Sequence, residues 1–190
     1  MRSGVKHCII IGAMKAGTTN LYTSLAKHPN ICRARLKEPE FFSPYQSWRP
    51  YDSYESLWEV DPNIHLVTLE ASTGYTKANS RETPRRMYEY GIRPYLIYIL
   101  RNPFDRIESH FNFSARSLSI EFDSDIVDEE LISPSDYMTH IDRYLEYFPR
   151  DRLLILDFAQ LNHAKVEVMD SVFDFLGWAE PWPPPYTPRC

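Results

Sequence analysis

The chain is expected to fold as an α/β domain: a parallel β-sheet with helices on both faces. Three observations carry this expectation. Short, β-branched apolar runs alternate with longer stripes of helical period. The runs are apolar at consecutive positions, as strands buried on both faces are. The 190 residues, 43% hydrophobic and 14% aromatic, suit one ordinary globular domain and not a disordered chain.

His7-Cys8-Ile9-Ile10-Ile11 is the first strand-like run. Thr18 to Lys27 follows as a helix with Leu21, Tyr22 and Leu25 on one side and His28-Pro29 as its stop. His65 to Leu69 is a second apolar run. Glu82 to Tyr90 reads as a helix with Gly91 placed just past its end. Pro94 to Leu100 (PYLIYIL) is the strongest strand. Asn102-Pro103 then starts a helix, since Asn suits the cap and Pro the first helical position, and Phe104, Ile107 and Phe111 mark its apolar face. Ser135 to Phe148 is an amphipathic helix with Tyr137, Ile141, Tyr144 and Phe148 along one side. Leu153 to Leu156 is another buried strand, and Ala164 to Leu176 the last helix, closed by Gly177. Residues 1–180 read as a single domain and 181–190 as a proline-rich tail. Glu121 to Glu130 carries six acids and no base, the pattern of a solvated insertion loop.

Composition excludes some classes of function. With 21 basic and 26 acidic residues the net charge is −5, against the basic face of a nucleic-acid binder. No apolar run approaches the roughly 20 residues of a membrane span. Met1 precedes the first core strand so closely that no signal peptide fits between them. The three cysteines (Cys8, Cys32, Cys190) form no CxxC pair, so a reducing, cytoplasmic setting is the simplest reading. A catalytic domain excised from a longer secretory-pathway protein would look the same. No His, Cys, Asp and Glu spacing suggests a metal site. Oligomeric state leaves no trace in the sequence.

Chemistry enters at the loop after the first strand, Ile11-Gly12-Ala13-Met14-Lys15-Ala16-Gly17-Thr18-Thr19. Strand, glycine loop and helix form a cradle in which successive backbone N–H groups and the positive helix end converge on one anion. Gly12 and Gly17 have the spacing of the nucleotide-triphosphate loop GxxxxGK[ST], but Thr18 follows Gly17 and the loop's lysine is Lys15. An NTPase would also need a magnesium-binding acid at a strand end, for which Glu70 and Asp157 are available. A second anion site lies at the end of the strongest strand. Arg101 sits where open α/β sheets bind ligands, and Ser109 is about two turns into the next helix.

These blocks are similar to the motifs of sulfotransferases that use 3′-phosphoadenosine 5′-phosphosulfate (PAPS). Gly12 to Thr19 resembles their 5′-phosphosulfate loop, and Leu100 to Ser109 their 3′-phosphate motif. Lys37-Glu38-Pro39-Glu40-Phe41-Phe42-Ser43 and Leu69-Glu70-Ala71-Ser72-Thr73-Gly74-Tyr75 resemble two segments of the bacterial and heparan-sulfate-type branch. All four blocks stand in family order between about residues 8 and 177.

The resemblance implies a P-loop-like three-layer sandwich and transfer of a sulfuryl group from PAPS to an acceptor hydroxyl or amine, on a carbohydrate or a small molecule, without a metal. It implies that Lys15 offsets charge on the leaving phosphate, while Ala16, Gly17, Thr18 and Thr19 hold that phosphate. Arg101 and Ser109 take the 3′-phosphate. Glu38 is the general base, with its pKa expected to be raised by burial against Phe41-Phe42 and lowered by Lys37. Glu40 is the nearest rival, and a surface Lys37-Glu38 pair the bland alternative. His110 is a further candidate base, though on the 3′-phosphate helix. Lys37 and Glu70 are candidate substrate contacts. Ala71 stands where heparan-sulfate enzymes carry an acceptor-site lysine, so that role does not transfer. The alternatives are a magnesium-dependent P-loop kinase or NTPase, or a nucleotide-binding fragment without turnover.

Overall fold

A computed structural model describes residues 4–44, 51–118 and 129–178. Five parallel strands form one sheet: β1 (Lys6–Gly12), β2 (Ile31–Arg33), β3 (Val67–Ala71), β4 (Tyr95–Leu100) and β5 (Leu153–Asp157), in the order β2-β3-β1-β4-β5. The first run sits at the centre for a physical reason: Cys8 to Ile11 have no polar face to turn to water, and each is at most 1% exposed. Burial pushes the Cys8 thiol up to about 12, which fits an inert packing role.

Register brings all the carboxyl ends to one edge of the sheet. Ile10 of β1 lies beside Ala71 of β3, Gly12 beside Tyr98 of β4, and Leu100 beside Asp157 of β5. After β1 the chain runs to one side of the sheet and β4 and β5 fill the other, so the strand order reverses between β1 and β4. That reversal point is where open α/β sheets form a ligand crevice. The loops after β1 and β4, which carry Lys15 and Arg101, flank it.

The helices are α1 (Thr18–Leu25), α2 (Thr83–Tyr90), α3 (Pro103–Leu118), α4 (Glu129–Ile132), α5 (Tyr137–Leu145), α6 (Phe158–His163) and α7 (Lys165–Phe175). Gly91 and Gly177 end α2 and α7 with φ of 94° and 71°. Asn102 Oδ1 accepts from Phe104 N at 3.0 Å and Asp105 N at 3.3 Å, capping α3.

Several elements differ from expectation. Strand β3 begins two residues later than His65–Leu69, because His65 N donates to Asp61 O in the preceding turn and Leu66 N to Asn30 O, just ahead of β2. Glu70 is therefore inside a strand, not beyond its end. Helix α5 is shorter than Ser135–Phe148, since Ser133–Ser135 closes a separate 3₁₀ turn around Pro134. Helix α6 precedes the expected last helix: Asp157, read as a strand-end acid, accepts from Ala159 N at 2.6 Å and caps it. Strand β2 is too short to show an apolar period. The acidic stretch 121–128 and the proline-rich tail lie outside the described residues. Among the described residues, no helix is long and apolar enough to cross a membrane.

Candidate active site

Helix α1 starts at Gly17, whose φ of 84° lets the loop turn into the helix, and no side chain caps it. Its first N–H groups are thus left facing the crevice. The loop is fastened from behind. Ala13 N donates to Ile99 O at 3.0 Å, and Arg101 Nη1 donates to Lys15 O at 2.9 Å. Lys15 itself has a left-handed φ of 67°, and its ammonium lies 4.2 Å from the centre of the Phe113 ring. Burial and the charge of Arg101 hold the Lys15 pKa below the usual lysine value.

Gly12 is required for a second reason. It has φ 150°, and a Cβ there would come within 2.1 Å of Thr76 Oγ1, which donates to Ile11 O. Gly12→Ala is expected to lower unfolding stability by roughly 1–3 kcal/mol through this clash, in addition to its backbone strain. Gly91→Ala, with nothing within 4 Å of the new Cβ, is the comparison that costs backbone strain alone. Denaturant unfolding of both variants measures the difference.

Arg101 is held at the end of β4. Tyr137 Oη donates to Arg101 O at 2.7 Å, and the guanidinium stacks on Phe158 with Cζ 4.6 Å from the ring centre. Arg101 Nε is buried without a hydrogen-bond partner among the described residues. Phe158 also lies under Gly17, 3.0 Å from where a Cβ would sit, so one ring backs both anion sites. Sequence reasoning missed it because it enters from α6.

A cleft of about 820 Å³ opens over these groups. Lys15, Gly17, Thr18, Thr19 and Ser109 line it, and Glu38, Glu40 and Thr73 line it as well. A second hollow of about 380 Å³ contains Arg101 and shares Lys15, Ser109 and Phe113 with the first. The structure thus brings together Lys15, Gly17, Thr18, Thr19, Ser109 and Glu38, with Arg101 in the adjoining hollow; Ala16 is fully buried, donates its N–H to Ala13 O at 3.1 Å and lines neither hollow. Met14, Lys77 and Phe113 were missed as cleft residues. For Phe113 a signal existed: it is one turn after Ser109, on the same face of α3.

The acids behave differently from expectation. Glu38 has φ 60°, and its Oε2 accepts from Thr73 N at 3.0 Å and Thr73 Oγ1 at 2.8 Å. Lys37 Nζ donates to its Oε1. Burial pushes the Glu38 pKa up, but Lys37 and the two Thr73 donors together outweigh burial and hold it below the usual carboxylate value. The expected rise is corrected: the carboxylate is pre-ionised. Lys37 serves Glu38 and does not line the cleft. Glu40, by contrast, is raised by burial and by the Glu38 charge.

Glu70 is fully buried below the cleft, where Tyr54 and Tyr75 hydroxyls each donate to its Oε1 at 3.1 Å. Burial, opposed by those two donors and aided by the Glu40 and Glu38 charges, brings its pKa to about 8. A substrate cannot reach it, so Glu70 is not a substrate contact. Asp157 caps α6 through Oδ1, and Glu70 is closed off from the cleft by burial. Among the described residues no group of three or more His, Cys, Asp or Glu side chains is placed to hold a metal ion. His110 is also buried, with Nδ1 3.5 Å from Arg106 Nη1.

Comparison with known proteins agrees with this geometry. The family model described as "Sulfotransferase domain" matches residues 5–181. Human bifunctional heparan sulfate N-deacetylase/N-sulfotransferase 3 is 31% identical over 192 residues, covering 89% of this chain and 22% of that protein. The chain therefore spans about a fifth of the length of the curated relatives it matches. Among solved structures, a sulfotransferase from Alicyclobacillus acidocaldarius superposes with a TM-score of 0.79 at 24% identity, covering 92% of this chain and 81% of the other. A mouse sulfotransferase solved with PAP gives 0.60 at 16% identity, covering 90% and 58%. The fold is thus shared with these sulfotransferases over most of the chain, and with the family model matching 5–181 this chain belongs to the sulfotransferase domain family.

Proposed function

We propose that this chain transfers a sulfuryl group from PAPS to a hydroxyl or amine of a carbohydrate or small-molecule acceptor, without a metal. One observation carries the reading: two separate anion sites, the loop before α1 and Arg101 with Ser109, open into joined hollows with Lys15 between them. The residues present fit a ligand with two separated phosphates. An uncapped helix end suits one, and a half-buried guanidinium whose Nε has no partner among the described residues suits the other. The mouse relative solved with PAP, the 3′,5′-ADP product, supports the same ligand, and the heparan sulfate N-sulfotransferases support a carbohydrate amine as one acceptor.

In this reading the backbone N–H groups of Gly17 and Thr18 and the Thr18 and Thr19 hydroxyls hold the 5′-phosphate, while Ala16, whose N–H is bonded to Ala13 O, shapes the loop from behind. Lys15 neutralises charge that grows on the bridging oxygen as its bond to sulfur breaks. Glu38, ionised and fixed by Thr73, accepts the acceptor's proton. Arg101 and Ser109 hold the 3′-phosphate, the group that separates this ligand from ATP.

Calorimetric titration tests the reading. Binding of 3′,5′-ADP in preference to ATP–Mg is expected, and the opposite order would sink it. Arg101→Ala is expected to weaken 3′,5′-ADP binding by about 1.5–3 kcal/mol, the loss of a charged hydrogen bond. Transfer of labelled sulfate to a member of a broad acceptor panel is expected; nucleotide binding with no transfer at all would leave a binding fragment.

A further inference from the structure

Two acids, not one, face the cleft from the segment after β2. Glu38 and Glu40 both adopt left-handed backbone, with φ of 60° and 55°, a conformation that non-glycine residues keep only where the surroundings impose it. The turn after β3 grips them side by side. Its successive N–H groups donate to them, Thr73 N to Glu38 Oε2 and Gly74 N to Glu40 Oε1, each at 3.0 Å. Glu40 is 7% exposed, and its other oxygen, Oε2, is buried with no donor among the described residues. That oxygen lies against Gly74, where a Cβ would come within 2.1 Å of it, so a side chain there would displace it.

A buried carboxylate oxygen with no donor is costly, and a second carboxylate within hydrogen-bonding reach makes it costlier. A proton removes both difficulties, because it turns the orphan acceptor into a donor. The carboxylate it reaches is Glu38. We propose that Glu40 is a positioning residue for Glu38: it keeps a proton on its carboxyl group and shares it with the Glu38 carboxylate. The pair then takes up the acceptor's proton as one unit.

The proposal rests on the sulfuryl-transfer reading for what that proton is used for. As the acceptor's bond to sulfur forms, its O–H or N–H bond breaks and the proton goes to Glu38. The bond from sulfur to the bridging oxygen breaks, and its electron pair leaves on the 5′-phosphate of 3′,5′-ADP. The pair enters with one proton and leaves with two, and returns one to solvent.

The surroundings favour a shared proton. Facing Glu40 are Glu38 and Ser43 from its own segment, Tyr75 from the turn after β3, Glu70 from β3 and Tyr144 from α5; the Ser43 hydroxyl and Gly74 N–H favour the charged form, and burial with the Glu38 charge outweighs them. Lys37 binds Oε1 of Glu38, and Lys15 and Lys77 line the same cleft. The two acids are also displaced in opposite directions, Glu38 down and Glu40 up.

The test follows the δ-carbon resonances of labelled glutamate through a pH titration, in wild type and in near-isosteric Glu40→Gln and Glu38→Gln. In wild type the Glu38 signal is expected to move in two steps, the second tracking Glu40. Glu40→Gln should collapse this to one step, and Glu38→Gln should lower the Glu40 midpoint by about one pH unit or more. A wild-type Glu38 signal that moves in one step and is unchanged by Glu40→Gln would overturn the proposal. Should 3′,5′-ADP fail to bind wild type, the sulfuryl-transfer reading falls while the titration still decides whether the proton is shared.

Discussion

Lys15→Ala is expected to lower the rate of sulfuryl transfer by about 10²–10³-fold, the usual loss when one donor to a developing charge is removed. Affinity for 3′,5′-ADP should change little. The loop does not depend on the lysine side chain for its shape: the lysine's carbonyl is what Arg101 holds, and Ala13 is tied to Ile99. The ammonium reaches over Phe113, inside the cleft, where burial lowers its pKa but leaves a donor. Only the transition state, in which the leaving oxygen gains charge, calls on that donor fully. Initial rates with labelled PAPS and a parallel 3′,5′-ADP titration separate the two effects. An equal loss in rate and affinity would show that Lys15 binds the ground state and contributes nothing specific to the reaction.

The second large effect concerns stability and comes from Glu70. Its pKa is about 8 in the folded protein, against 4.5 as the ordinary value. Between those values the folded state holds a proton that the unfolded chain releases, so stability falls as pH rises from about 4.5 to 8. At about 1.4 kcal/mol per pKa unit the whole span is worth on the order of 5 kcal/mol. Glu70→Gln keeps an oxygen for the Tyr54 and Tyr75 hydroxyls and cannot ionise. The variant should therefore lose this slope and be the more stable protein above pH 8. Thermal unfolding of both proteins at several pH values measures the difference. Parallel pH profiles would show that Glu70 does not carry the proton.

The arrangement of the half of the site proposed to bind anions was legible in the sequence. Gly12, Lys15, Gly17 and Thr18 lie within one strand–loop–helix unit, and Arg101 and Ser109 within another, so local spacing fixes their arrangement. The acid half was not. Glu38 meets Thr73 and Glu40 meets Gly74 across more than thirty residues, and these long-range hydrogen bonds decide which acid is ionised. Phe41 and Phe42 suggested desolvation, and burial is indeed the largest single influence on Glu38. Of the groups that reverse it, Lys37 is the sequence neighbour that was visible, and the two Thr73 donors come from another strand end. Left-handed backbone at Lys15, Glu38 and Glu40 was invisible for a related reason: it is imposed by the fold, and residue type gives no hint of it. Strand β2 and helix α6 were too short to show a period, yet α6 supplies Phe158, the ring beneath both anion sites.

Helix α1 begins at a glycine, with no side chain bonded to its first N–H groups. A Ser, Thr, Asp or Asn side chain at a cap bonds one of those N–H groups and steadies the first turn by a few tenths of a kcal/mol over glycine. Without one, that turn is the part of the helix most prone to fraying, and in the proposed function an arriving phosphate becomes its missing cap. Completing the helix is then part of the binding event. The backbone amides of the first turn should exchange with solvent freely in the empty protein and become protected when an anion docks, a local change in order with no movement of the sheet below.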